Sequence, residues 1–371
     1  MKITNVIAPG KRIRAFYLFF IICTVQLGVG IMGAPSYIFG YARQDAWISI
    51  LIAGVALILI LSVIIYILSQ YENSDIFGIQ VDIFGSFIGK VLGSIYIIYL
   101  AMALLSVMLT YIEVVQVFIR PTMPSYVIGG LILILVIYCI WGGVKVIVGV
   151  AFLFFILSQW LLILLYDPIL RMDWSHLLPV LDASLIELLK GAKASSYTLL
   201  GFEILLIIYP YIDNKKEIKL PVFLAIIYSV STLLITTIIS IGYYSLENLR
   251  DSEWTVITLF KSASFSFAER LDYIVVMEWM MIVVPNNIFL AWATTYGIKR
   301  LYNIQQRKSL YILCSLLLVS ISILKYDYMI LQFTTIVSNM GFWINCVYPF
   351  ILATLVFFKK KRSKHKGMNT T

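Results

Sequence analysis

The chain has 371 residues, of which 61% are hydrophobic and only 13% charged, with a formal net charge of +9. A soluble domain keeps its apolar content near half and about a quarter of its residues charged, so a mean hydropathy of +0.95 excludes that class and identifies an all-α polytopic membrane protein. The basic surplus has a nucleic-acid reading. A basic cluster beside a membrane span is, however, an orientation signal drawn to anionic lipid, so the partner it implies is the bilayer and no nucleic acid.

Lys2, Lys11, Arg12 and Arg14 precede the first apolar run, residues 15–42. That run is too long for a signal peptide and lacks its small-residue cleavage site, so it reads as a retained span. Inside it lies GVGIMGAP, residues 28–35, where Gly28, Gly30, Gly33 and Pro35 weaken a helix at membrane depth. Irregular backbone is tolerated there when it is buried in protein or lines a cavity, and its freed N–H and C=O groups can hold a polar ligand. The same glycines also suit a packing face against a neighbouring helix, and both readings stand from this stretch alone.

The second span covers residues 46–69, and residues 71–89 read as an interfacial helix on the membrane surface. Span three, residues 91–119, ends at Arg120, Pro121 and Pro124; span four, 126–141, is closed by Gly142 and Gly143; span five is 144–166. A polar loop over 167–190, with Trp174, His176 and Pro179, has room for short helices. Span six, 192–212, stops at the charged turn DNKKEIK, residues 213–219, and span seven is 220–244. A second polar loop, 246–270, leads to span eight, 271–298; spans nine and ten, 310–324 and 329–358, precede a basic tail over 359–371. With the N-terminus inside, most of the 28 Lys and Arg residues fall in the inner segments, which places both termini of this single membrane domain in the cytoplasm.

Chemistry-bearing residues are few. Cys23, Cys139, Cys314 and Cys346 lie in apolar runs without CxxC spacing, which argues against a disulfide framework and a zinc site. The two histidines, His176 and His365, sit in a loop and in the tail, and no Ser-His-Asp set, HExxH, P-loop or GxGxxG occurs in a suitable context. The chain is therefore expected to be no enzyme, with no catalytic residue, metal or cofactor.

Three carboxylates fall within spans, and ionisable groups at that depth are functional hypotheses by default. Glu113 and Glu278 are close enough to the outer ends of their spans to reach water or an arginine. Glu203 lies mid-span, two residues after Gly201 and seven before Pro210, at the end of SSYTLLGFE, residues 195–203. Tyr197 and Thr198 share a helix face with Gly201. This stretch is either a second break beside a polar site or a Ser/Gly packing seam with a hydrogen-bonded Glu. In span eight, Asn286 and Asn287 follow Pro285; two adjacent amides cannot both be satisfied by their own helix, so a ligand or a facing helix must pair with them. The breaks in spans one and six occupy matching places in two sets of five spans, residues 15–166 and 192–358, a pattern that points to a transporter site at the interface of inverted repeats.

These features, taken in order, resemble the B subunit of endospore germinant receptors, the spore germination permease branch of the amino acid-polyamine-organocation superfamily. The resemblance rests on GVGIMGAP, on LLGFEILLIIYPYIDNKKE (199–217), on ERLDY (269–273) and on the polar centre and YGIKR end of span eight. It implies a leucine-transporter-like fold of ten transmembrane helices in a five-plus-five inverted repeat, with helices 1 and 6 unwound around a midplane site for a small germinant, commonly an amino acid. It further implies a location in the spore inner membrane and partnership with A- and C-type receptor subunits. Carried onto this chain, the backbone at Gly28, Val29, Gly30 and Ile31 takes the ligand carboxylate, helped by the partial positive charge of a half-helix N-terminus. Leu200, Gly201 and Glu203 form the other side, and Tyr99, Asn286 and Leu290 close the pocket. The alternative reading is a proton-coupled amino-acid permease with Glu203 or Glu113 as proton carrier.

Overall fold

The computed structural model describes residue 4, residues 6–262 and residues 271–368, with side chains to residue 361. Glu269 and Arg270 of the ERLDY motif and the side chain of His365 lie outside the described residues. Every regular element among the described residues is a helix. The first apolar run forms α1 (Tyr17–Gln26), a 3-10 turn (Val29–Met32) and α2 (Ala34–Ala42). Pro35 falls in the opening turn of α2, where its missing N–H leaves no helical acceptor unmet. A turn at Arg43–Asp45 leads to α3 (Ala46–Ser69), and the buried Asp45 carboxylate accepts hydrogen bonds from the N–H groups of Leu181 and Ala183 at 2.8 and 2.9 Å.

Residues 76–118 form one long element, α4 (Ile76–Phe118), interrupted at Gly85, whose φ of +82° suits glycine alone. The stretch expected to lie on the membrane surface is thus a helix, but one docked into the bundle: Ile76, Phe77 and Ile79 are buried, while Phe87 and Ile88 remain exposed. Next come α5 (Ser125–Trp141), α6 (Val144–Ser158), a 3-10 stretch (Gln159–Leu165) and α7 (Tyr166–Arg171). The sixth apolar run opens earlier than its hydropathy predicts, with α8 (Leu185–Leu199), because Ser184 and Glu187 form a reciprocal capping box. After a break at Leu200 and Gly201 come a 3-10 turn (Phe202–Ile204), α9 (Leu205–Ile208) and a 3-10 turn (Tyr209–Tyr211), the two halves being bent by 53°.

The remainder comprises α10 (Lys219–Tyr243), α11 (Leu246–Asp251), α12 (Thr255–Ser262), α13 (Leu271–Tyr302), α14 (Gln306–Ile323) and α15 (Asp327–Gly341). A π-helical turn (Phe342–Val347) joins α15 to α16 (Tyr348–Met368). Seven stretches among the described residues are long and apolar enough to cross a membrane, eight if the bent pair is one span; α1 and α5 are apolar but shorter. The N-terminal segment is tied to the end of the bent run by a single parallel bridge, in which Ile13 donates to Tyr211 O and accepts from the N–H of Asp213, both at 2.9 Å.

The docked start of α4 is held by charge as well as by packing. Asp75, fully buried, caps α4 by accepting from the N–H of Gly78 at 2.8 Å, and it also accepts from Tyr296 at 2.6 Å and from Arg300 Nε at 2.7 Å. The YGIKR motif at the end of α13 is therefore the anchor for this loop. A buried pair is costly to break on one side. Asp75→Ala is expected to destabilise the protein by about 3–5 kcal/mol, read as a lower thermal midpoint in detergent. Combining it with Arg300→Met should return part of that loss; equal midpoints for the single variant and the parent would remove the anchor role.

Candidate functional site

The two breaks face each other. At a helix end the last carbonyls have no partner in their own helix, and here side chains from opposing elements bind them. Gln26 Nε2 donates to Leu199 O at 2.7 Å, and Asn286 Nδ2 donates to Val25 O at 2.9 Å. On the donor side, the N–H of Gly201 gives its hydrogen bond to Glu203 Oε2 at 2.6 Å. Close approach explains the glycines. A β-carbon on Gly30 would stand 2.8 Å from Thr198 Oγ1, and one on Gly28 would collide with the Asn286 amide. Gly201 has φ of +118°, and a β-carbon there would lie 2.8 Å from the Val25 carbonyl carbon.

Between the breaks lies a cavity of about 60 Å³. A single water needs about 10–15 Å³ by the same kind of measure, so the space suits a group of a few heavy atoms. Of the sequence-predicted residues, Gly28, Val29 and Gly30 line it from the first break, and Tyr197, Thr198, Leu200, Gly201 and Glu203 from the second. Tyr99 of α4 and Asn286 and Leu290 of α13 complete that set. Two residues are not among those brought together. Ile31 lines a separate, largely apolar cavity of about 70 Å³ with Phe155, Tyr228 and Phe260. Asn287 is fully buried, lines neither cavity, and makes no side-chain hydrogen bond to any described residue.

Several lining residues lie outside the predicted set: Gln26, Ala103, Ser106 and, from α15, Val337. Behind the cavity, Asn345 on the π-helical turn donates to the Tyr99 hydroxyl at 2.9 Å, and Tyr99 donates to Glu203 Oε1 at 2.9 Å. An amide in the apolar run GFWINCVYPF is a signal that points to Asn345; Gln26, directly before the first break, is another. Both Glu203 oxygens are engaged, one by Tyr99 and one by Gly201, so this carboxylate works as an internal cap of the second break. By contrast, Gln26 Oε1 and Asn286 Oδ1 are buried and accept no hydrogen bond from described residues, in two residues that line the cavity.

A larger cavity of about 440 Å³ adjoins the first, and the two share Val29, Gly30, Tyr197 and Thr198 as a common floor. The floor is tied by hydroxyls: Ser106 Oγ lies 3.2 Å from Tyr197 OH and 3.0 Å from Thr334 Oγ1. Glu113 lines this outer vestibule, as do Glu253, Trp254, Lys190 and Lys193. At its rim, desolvation raises the Glu253 carboxyl from its ordinary value, and the Asp327 charge adds to the rise. Glu278 lines none of these cavities and accepts from Trp160 Nε1 at 3.1 Å.

The sequence profile of a family described as spore germination protein matches residues 12–329. Spore germination protein GerQB of Bacillus cereus is 31% identical over 296 residues, 80% of this chain and 82% of the relative. Spore germination protein YndE of Bacillus subtilis (strain 168) is 21% identical over 364 residues, 96% of this chain and 99% of that one. Among solved structures, a substrate-bound, outward-open Na+-coupled sialic acid symporter superposes with a TM-score of 0.62 at 11% identity. That superposition covers 94% of this chain and 76% of the symporter, a likeness of fold.

The second break gives a direct test of this geometry. Gly201→Ala forces a side chain into a backbone conformation that costs about 1–3 kcal/mol, on top of the clash with Val25, so its thermal midpoint should fall clearly. Gly149 is the control, because a β-carbon placed there would meet no atom within 4 Å. Gly149→Ala should be neutral or stabilising by up to about 1 kcal/mol. Equal midpoints for the two variants would contradict the close packing of the breaks.

Proposed function

The chain belongs to the spore germination protein family, and on that premise we propose that it is the germinant-sensing, transporter-like subunit of a spore germination receptor. Its ligand is a small polar molecule of the amino-acid class, held in the cavity between the two breaks. The working unit is a non-enzymatic membrane domain of ten spans in two inverted sets, residues 15–166 and 192–358. Both termini face the cytoplasm, the membrane is the spore inner membrane, and A- and C-type receptor subunits are the partners.

The observation that carries this reading is the shared wall. An occupant of the cavity touches the first break at Gly28, Val29 and Gly30 and the second at Leu200 and Gly201, so its binding energy depends on how the two broken helices stand to one another. A ligand can bias a two-state equilibrium only by its differential affinity for the states, and a site built from both breaks supplies that difference. In this scheme the ligand carboxylate meets the N–H groups around Gly28, Val29, Gly30 and Ile31. The ligand ammonium faces Gln26 Oε1 and Asn286 Oδ1. Tyr197 and Thr198 close the outer side, and Tyr99, Glu203 and Leu290 shape the inner one, with Asn287 supporting α13 behind it.

The permease reading draws support from the likeness of fold to a symporter. The engagement of both Glu203 oxygens argues against that residue as a proton carrier. In liposomes, the purified chain is expected to bind a labelled amino acid from a panel saturably, with no uptake driven by a proton gradient. Ala103→Leu, which fills the cavity, should weaken that binding at least ten-fold. Gradient-driven, saturable uptake would establish the permease instead, and absence of both binding and flux from the assembled receptor would overturn the ligand-sensing role.

A further inference from the structure

The outer vestibule carries a feature that the inner cavity does not need. Glu113 is only 8% exposed, lines the 440 Å³ space, and forms neither a hydrogen bond nor an ion pair with any described residue. Its side chain is buried but its carboxylate oxygens stay open to this space, where no ion pair with a described residue compensates their charge. The cationic side chains that share the vestibule do not compensate it: Lys193 lies over the Phe342 ring at 5.3 Å, and Lys190 and Lys193 are both exposed. Aromatic side chains, Tyr37 and Trp254, line the same wall, and aromatic rings attract organic cations through their faces.

From this arrangement we infer that the vestibule holds a second ligand station, at which Glu113 receives the ammonium group of a small organic cation. The station is separate from the inner cavity: Glu113 lines only the outer space, and the Tyr197, Ser106 and Thr334 hydroxyls lie between them. Glu253 at the rim adds a second negative charge on the approach. The link to an amino acid entering the inner cavity rests on the function proposed above, whereas the station itself needs only Glu113 and its surroundings. Its chemical class is set by charge: a primary ammonium fits, a neutral molecule of the same size loses the ionic term, and an anion is repelled from Glu113.

Three molecules of similar size separate these cases: ethanolammonium, ethylene glycol and glycolate. Binding of each to the full-length chain in lipid nanodiscs is measured by saturation-transfer NMR, with Trp254 fluorescence as a second readout and Trp254→Phe as its control. Ethanolammonium is expected to bind saturably and the other two not. Glu113→Gln should weaken ethanolammonium binding at least ten-fold. Thr110→Lys, which tethers an ammonium one turn from Glu113 on the same wall, should abolish it and serves if Glu113→Gln does not fold. Ala103→Leu should leave it unchanged, because that substitution fills only the inner cavity. The inference falls if ethylene glycol binds as well as ethanolammonium, or if Glu113→Gln binds as the parent does. It falls equally if Ala103→Leu abolishes ethanolammonium binding, which would assign the ammonium to the inner cavity.

Discussion

The structure depends on satisfying, group by group, the backbone polar atoms exposed where two helices break inside an apolar bundle. Each unmet N–H or C=O at that depth costs several kcal/mol, yet the chain breaks after α1 and after α8, at facing positions. Two side chains reach across to meet the freed carbonyls, Gln26 to Leu199 O and Asn286 to Val25 O, while Glu203 folds back to take the N–H of Gly201. The polar residues that mark the site are therefore first the means by which the breaks exist, and what they leave over defines what the cavity can hold.

That division of labour sorts the acidic residues by role. Glu203 is consumed by structure, with Tyr99 and Asn345 aligned behind it. Asp75 is likewise consumed, holding the start of α4 against the end of α13. Glu113 is not engaged in this way, and it stands in the larger space that adjoins the inner cavity. Buried carboxylates in one chain thus range from caps to an unpaired charge, and only their partners tell them apart.

Much of this was legible in the sequence, and the parts that were not share a cause. Glycine marks both breaks, with Pro35 beside the first, because these residues weaken helices. Tyr197, Thr198 and Gly201 line one cavity, but α8 ends at Leu199 and Gly201 is left-handed, so helical spacing does not put Gly201 on their face. Ile31 escapes the same logic. It sits in a 3-10 turn, where the 3.6-residue period no longer says which way a side chain faces, and it lines the apolar cavity. Asn345 escapes it too, since a π-helical turn shifts the phase of the helix that carries it. The early start of α8 was written as Ser184 and Glu187, a capping pair that outranks hydropathy in setting where a helix begins. The vestibule gathers residues from α2, α4, α8, α15 and the segment before α12, and no local pattern in a sequence encodes such a gathering.

The bridge at Ile13 has a mechanical meaning. Upstream of α1, Ile13 is hydrogen-bonded on both sides to the segment that ends the bent run, at Tyr211 and Asp213. At the other end of α1, Val25 is packed against Gly201. The α1 half of the first broken run and the α9 half of the second are thus joined at both extremities, like two rails of a ladder with rungs at top and bottom. Sliding or scissoring of one against the other would break the Ile13 hydrogen bonds or open the Val25–Gly201 contact. The far end of α1 and the N-terminal segment are thus coupled through backbone contacts to the same two elements that meet at the cavity.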